Sequence, residues 1–139
     1  MGKVVVAATV ENVADLYNAH LGTLPADQVR RVAVADALAD TGATTLSLPK
    51  RLIAQLGLLP LRTRTVRTAT GATTLQTYGG AHLMVMDREC TCDVTEVSDD
   101  CPVLIGQIPL EALDLMVDPK GQRLIGNPAH GGEHVMELY

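Results

Sequence analysis

The chain has 139 residues, enough for one domain with a packed core, and 47% of them are apolar. Aromatic content is only 2%, with no Phe and no Trp, which excludes the base-stacking platforms of single-strand nucleic-acid binders. A net charge of −5 and a pI near 5.2 argue against nucleic-acid and anionic-membrane partners, and three cysteines, an odd number, fit a reducing, cytoplasmic setting.

From the N-terminus, Lys3 to Val10 is rich in Val and Ala and reads as a strand. Its apolar run is too short for a secretory leader or a membrane span. Asn12 to Pro25 mixes polar residues with Gly22 and Pro25 and reads as a surface excursion, with a short helical piece around Val13 to Asn18. Val29 to Leu38 alternates and is expected to pair antiparallel with the first strand. Thr45 to Leu48 is a second short strand. Pro49 to Gly57 reads as a helix, with Pro at its first position, Gly just past its end, and an apolar stripe of Leu52, Ile53 and Leu56.

Arg62 to Thr70 and Thr73 to Met86 are two strand-like arms, so a hairpin turning near Ala69-Thr70-Gly71-Ala72 is expected. Gly79-Gly80 in the second arm signals a bulge or a close backbone approach. Arg62, Arg64 and Arg67 read as a solvated strand face. Asp87 to Asp93 reads as a turn, Cys92 to Val97 as a short strand, and Ser98-Asp99-Asp100 as another turn. Pro102 to Gly106 is a buried strand, and Pro109 to Leu115 a helix with Leu110 and Leu113 inward. Met116 to Ile125 is a closing hairpin through Asp118-Pro119-Lys120-Gly121. Residues from about 127 to 139 form an irregular tail, whose Val135 and Leu138 could pair with a partner chain. No internal repeat or linker interrupts residues 1–139, which are expected to form a single domain.

The stretch around which these elements are organised is Ala37-Leu38-Ala39-Asp40-Thr41-Gly42-Ala43-Thr44. An apolar strand ends by presenting a carboxylate on a tight turn, where Gly42 lets the backbone bend without a Cβ clash. Asp and Gly are also common residues of ordinary turns, but a second landmark supports a special one. Val103-Leu104-Ile105-Gly106 follows 66 positions downstream (106 − 40), with a helix after it. The Asp40-Thr41-Gly42-Ala43 signature, with this apolar-apolar-Gly element and the intervening Thr/Gly-rich hairpin, resembles the retropepsin-like (clan AA) aspartic proteases. The likeness is to the bacterial single-domain type and runs from about Val29 to Ile125.

The resemblance implies a mainly β fold with one or two short helices: a closed acid-protease barrel carrying one half-site per chain, completed in a two-fold homodimer. Two carboxylates close together cannot both ionise cheaply, so one stays protonated and the other can activate a water. Only one Asp-Thr-Gly occurs here, so the second carboxylate must come from a second copy. Carried over, Asp40 is the catalytic aspartate of an endopeptidase, and Thr41 holds the two turns together across the dimer. Gly42 and Ala43 line the cleft floor, and Gly106 packs beneath the turn. The hairpin tip at Thr70, Gly71 and Ala72 would be a flap over bound peptide. Viral members pair an Arg after the Gly element with an Asp after Asp-Thr-Gly-Ala; here Gln107 and Thr44-Thr45 stand there, so both halves of that brace are absent together. The alternative is a catalytically silent module of the same fold that binds peptides or only dimerises.

Other constellations are weaker. Cys90-Thr91-Cys92 with Cys101 and a histidine could bind zinc, but the spacing is short for a zinc pair and no second pair exists, so plain thiols, no metal and no cofactor are expected. His130 and His134 are four apart, but Gly131-Gly132 argues against a helix and for a solvated tail. His82 reads as a strand residue. Glu111 and Asp114 read as a solvated helix face. No phosphate-binding glycine loop and no nucleophile signature is present.

Overall fold

The computed structural model describes residues 3–135. The expectation that Leu138 pairs with something lies outside them. Strands β1 (Lys3–Asn12) and β2 (Arg31–Asp40) pair antiparallel, as expected, with Lys3 opposite Asp40 and Val10 opposite Val32. The register shifts between Val6 and Ala8, where β2 contributes an extra residue. That shift changes which positions of β2 face inward. Val32 and Val34 pack on the core in its first half, and Ala37 and Ala39, both 0% exposed, fill it in the second. The alternation read from sequence therefore holds on each side of the bulge and not across it.

The remaining strands are β3 (Leu46–Pro49), β4 (Leu59–Thr68), β5 (Gly71–Val85), β6 (Arg88–Val97) and β7 (Leu104–Ile105), followed by the hairpin β8 (Leu115–Asp118) and β9 (Arg123–Gly126). The main sheet runs β1-β2-β7-β3-β6-β5-β4, and β1 also pairs with β5, so the sheet closes into a barrel with β4 left outside the ring. The interior holds Val10, Leu46, Leu48, Leu83, Val94 and Ile105, all 0% exposed. A core without Phe or Trp is thus built from branched aliphatics, which suit a pleated, close-packed surface.

Three short helices sit around the barrel: α1 (Val13–His20), α2 (Lys50–Leu56) and α3 (Gln107–Ala112). Leu52, Ile53 and Leu56 of α2 are buried as expected, and Gly57 ends the helix in the left-handed conformation at φ 63°. Pro49 is the last residue of β3 and stands just before the helix. The excursion is anchored more firmly than a surface insertion. Asn12 accepts the Asp15 N–H at 3.0 Å, capping α1, and its amide donates to the Leu56 carbonyl at 2.8 Å, capping the end of α2. Asp15, 6% exposed, takes two charge-assisted bonds from the Arg30 side chain at 2.8 and 3.0 Å, and these hold its carboxyl below the usual range.

Four further expectations are corrected. Residues Asp87 to Asp93 are not a turn: only Met86 and Asp87, both at positive φ, turn the chain, and β6 begins at Arg88 because Cys90 and Cys92 face Leu83 and Ala81 across the ladder. The last helix starts at Gln107 and ends at Ala112, since the Asp114 backbone turns at φ 55° and Leu115 enters β8. Asp114 is not on a solvated face: it is 8% exposed and accepts from the Asn127 amide at 3.0 Å and the Val135 N–H at 3.1 Å. His130 is not solvated either. It bonds Asp114 at 2.6 Å, so the segment after Asn127 is strapped onto the α3–β8 junction, beginning with a 3₁₀ turn at Pro128–His130.

Candidate active site

Asp40 is the last residue of β2, and the chain reverses at once through Thr41 and Gly42. The Asp40 carbonyl accepts the Ala43 N–H at 3.1 Å, and one carboxylate oxygen accepts the Gly42 N–H at 2.9 Å. This side-chain-to-backbone bond is the usual way a short acid stabilises a turn. It also fixes where the carboxylate points. Thr41 and Gly42 are exposed, Ala43 half-buried, and the Thr41 hydroxyl makes no hydrogen bond among the described residues.

The turn is supported from behind by the strand and helix that follow Val103. β7 inserts between β2 and β3, parallel to the first (Ala39 opposite Ile105) and antiparallel to the second (Leu46 opposite Ile105). Three successive amides then donate into the turn: Gly106 to Thr45 at 2.9 Å, Gln107 to Ala43 at 2.8 Å, and Ile108 to Thr44 at 2.9 Å. Gly106 is there for space. A Cβ at that position would lie 2.5 Å from the Thr45 carbonyl oxygen and 2.6 Å from the Thr44 carbonyl carbon. The structure therefore brings together Asp40, Thr41, Gly42, Ala43 and Gly106, the set singled out from the sequence.

Beside the turn lies a contact not anticipated from the sequence. The Thr45 and Thr95 hydroxyls meet at 2.7 Å, and Thr95 stands opposite Thr77, which is 2% exposed. The Thr45–Thr95 contact ties the segment leaving the turn to β6, and the ladder carries on from Thr95 to Thr77 of β5. Isolated threonines in two strands and the segment before a third carry no spacing signal, so only the structure shows them together. The same β5 continues outward with β4 as a two-stranded ribbon, whose tip is closed by Thr68: its hydroxyl donates to the Gly71 carbonyl at 2.9 Å. Thr70, Gly71 and Ala72 are exposed at that tip, and Gly71 has φ 130°, with open space where a Cβ would stand. The register slips at Gly79-Gly80, as the paired glycines suggested.

The rival residues sit elsewhere. Cys90 and Cys92 are unbridged and lie on one face of β6. Interaction between the two neighbouring thiols holds the Cys90 pKa below its ordinary value and, together with burial, pushes that of Cys92 up. His82 lies between Glu11, at 3.0 Å, and Glu89, at 3.3 Å, on the outside of the barrel. Among the described residues, no grouping of three or more His, Cys, Asp or Glu is arranged to hold a metal ion, and no helix is long and apolar enough to cross a membrane.

Comparison with known proteins identifies the family of the chain. A sequence model of the aspartyl protease family matches residues 28–126. That is well over half of the 139 residues, and the chain belongs to this family. Among solved structures it is similar to the solution structure of the simian foamy virus (mac) protease, with 18% identity and a TM-score of 0.49. The match covers 78% of this chain and 93% of that one. A search of curated protein sequences found no match. Family membership and a closed barrel with a strand inserted beneath the Asp40 turn bear out the retropepsin-like fold class.

Proposed function

We propose that the chain is an aspartic endopeptidase that works as a homodimer, with Asp40 of each copy facing the other across a two-fold axis. One carboxylate is ionised and takes a proton from a water lying between them as that water attacks a peptide carbonyl. The other is protonated and donates a hydrogen bond to the carbonyl oxygen.

The observation that carries this reading is the one-sided support of the turn. Gly106, Gln107 and Ile108 brace it from inside, while Thr41 and Gly42 face outward. A turn that merely joined two strands would need no such backing. Two exposed apolar side chains also flank it: Val5, 63% exposed, on the strand paired to β2, and Ile108, 54% exposed, whose amide holds Thr44. A second copy would cover them, and the Thr41 hydroxyl would find its acceptor there. In this reading Thr70, Gly71 and Ala72 close over bound peptide, the barrel, excursion and tail act as one domain, and the protein works in the cytoplasm.

Incubation with a denatured protein mixture, with and without a pepstatin-type inhibitor, tests the activity. Asp40→Asn should abolish cleavage and leave both melting temperature and solution mass unchanged. A strictly monomeric chain, or full turnover by the Asn variant, would end the proposal.

A further inference from the structure

We propose that the β4–β5 ribbon selects acidic substrates, so that this enzyme cuts peptides bearing Asp or Glu near the scissile bond. This rests on the peptidase reading above and adds a substrate class to it. The starting observation is a local reversal of charge. The chain as a whole carries 16 acids against 11 bases, yet from Leu59 to Val85 it contains Arg62, Arg64 and Arg67 and no Asp or Glu.

The register shows which way these arginines face. Residues directly opposite in an antiparallel pair project from the same side of the sheet. Arg62 is opposite Thr77 and Arg64 opposite Leu75, so both share the Thr77 side of the ribbon; Arg67, opposite Ala72, takes the other side. Thr77 in turn is opposite Thr95, whose hydroxyl meets that of Thr45. Thr45 leaves the Asp40 turn. The face bearing Arg62 and Arg64 is therefore continuous with the wall beside Asp40, the side along which a bound peptide would lie.

The acids of β6 and of the loop after it that are named here are already engaged. Asp93 holds Arg62 at 3.0 Å, which fixes one guanidinium near the base of the ribbon. In the loop before β7, Asp99 accepts the Arg51 amide at 2.8 Å and Asp100 accepts from the Ser98 hydroxyl. The two positions following Asp40-Thr41-Gly42-Ala43 are Thr44 and Thr45, neutral hydroxyls that do not repel an anion. Arg64 makes no hydrogen bond or ion pair among the described residues. Its planar fork matches a carboxylate, and a two-fold dimer supplies two such forks per cleft.

The test begins with a denatured protein mixture digested by the wild-type chain, the cut sites being read by mass spectrometry. Asp and Glu should be enriched around them, and the kcat/KM of a peptide copied from such a site should fall as salt rises. Arg64→Gln, an exposed change checked for folding by its melt, should lower kcat/KM for that peptide about two- to tenfold relative to its Gln-substituted twin, as expected for exposed charge pairs. Absence of enrichment, or an unchanged ratio, overturns the proposal. If the wild type cuts nothing, the peptidase reading has failed, and binding decides the present one. Labelled polyglutamate should bind the Asp40→Asn chain more tightly than polylysine does, and more weakly once Arg64→Gln is added. Equal binding of the two polymers, no effect of Arg64→Gln, or equally tight binding of a single-stranded oligonucleotide would refute it.

Discussion

Gly106→Ala is the most direct test of the idea that the Asp40 turn is held from behind. At φ −83° the backbone of Gly106 is open to any residue, so the substitution introduces no conformational strain of its own. The cost is steric. The new Cβ would lie 2.5, 2.6 and 2.8 Å from atoms of Thr45, Thr44 and Ala43, all of them backbone and none able to swing away. Reaching even a tight contact of 3.0–3.4 Å requires the turn and β7 to part by about 0.5–0.9 Å. Overpacking of this kind costs about 1–3 kcal/mol. With a urea slope of about 2 kcal/mol/M, the unfolding midpoint should drop by about 1 M. The displacement also stretches the amide bonds to Ala43 and Thr44, now 2.8 and 2.9 Å, and carries Asp40 with them. A shift near 1 Å in a reacting group can cost about a hundredfold, so kcat should fall about ten- to a hundredfold, well beyond the loss of folded protein. Gly42→Ala is the contrast, because its Cβ meets only an Asp40 carboxylate oxygen, at 3.2 Å, and the midpoint should move less. Urea titrations followed by circular dichroism, with peptide turnover measured alongside, decide it. A Gly106→Ala chain with the wild-type midpoint and turnover would refute the reasoning.

Two further substitutions probe the supports outside the site. Asn12→Ala removes the cap of α1 and leaves the buried Leu56 carbonyl without its 2.8 Å donor; the expected cost is about 2–3 kcal/mol in urea titrations, and a value below half of that would mean water replaces both bonds. Asp114→Asn keeps a residue that tolerates φ 55° but removes the charge. The His130 hydrogen bond holds the folded Asp114 pKa down at about 2, against an ordinary 3.8. A depressed folded pKa stabilises the protein above the unfolded value and loses that contribution as the pH falls through the folded one. Wild-type stability should therefore decline between about pH 4 and pH 2 more steeply than that of the variant, as read from urea midpoints against pH; parallel curves would show that the His130 strap contributes nothing.

What could be read from the sequence was local. Asp40-Thr41-Gly42-Ala43 and Val103-Leu104-Ile105-Gly106 are each continuous, and their chemistry is set by neighbours in the chain. The α2 helix was legible for the same reason, since Pro49 and Gly57 punctuate an apolar stripe. The tail is not legible in this way because its partner is distant: His130 and Asn127 read as solvated until Asp114, at an unusual φ, is placed against them. The start of β6 is hidden for a similar reason. The polar run from Asp87 to Asp93 resembles a loop, but its alternate residues Cys90 and Cys92 are covered by Leu83 and Ala81. Polarity marks a strand with one wet face as readily as a turn, and only the ladder partner separates the two.

The same distinction explains why the arginines of the ribbon were easy to name and hard to interpret. Their exposure follows from sequence, and the structure agrees that Arg62, Arg64 and Arg67 are exposed. Their orientation does not follow, because a slip of one residue in the pairing would send each to the opposite face. That slip is set by Gly79-Gly80, where β5 gives up its regular register against β6, and by the matching irregularity between Pro60 and Arg62 on β4. Inserting a single neutral residue between Leu61 and Arg62 would therefore exchange the face of Arg62 and Arg64 for that of Arg67 without altering net charge. If the ribbon selects acidic peptides as proposed, that specificity would be governed by the phase of the ribbon at its base, some distance along the strand from the side chains that carry it.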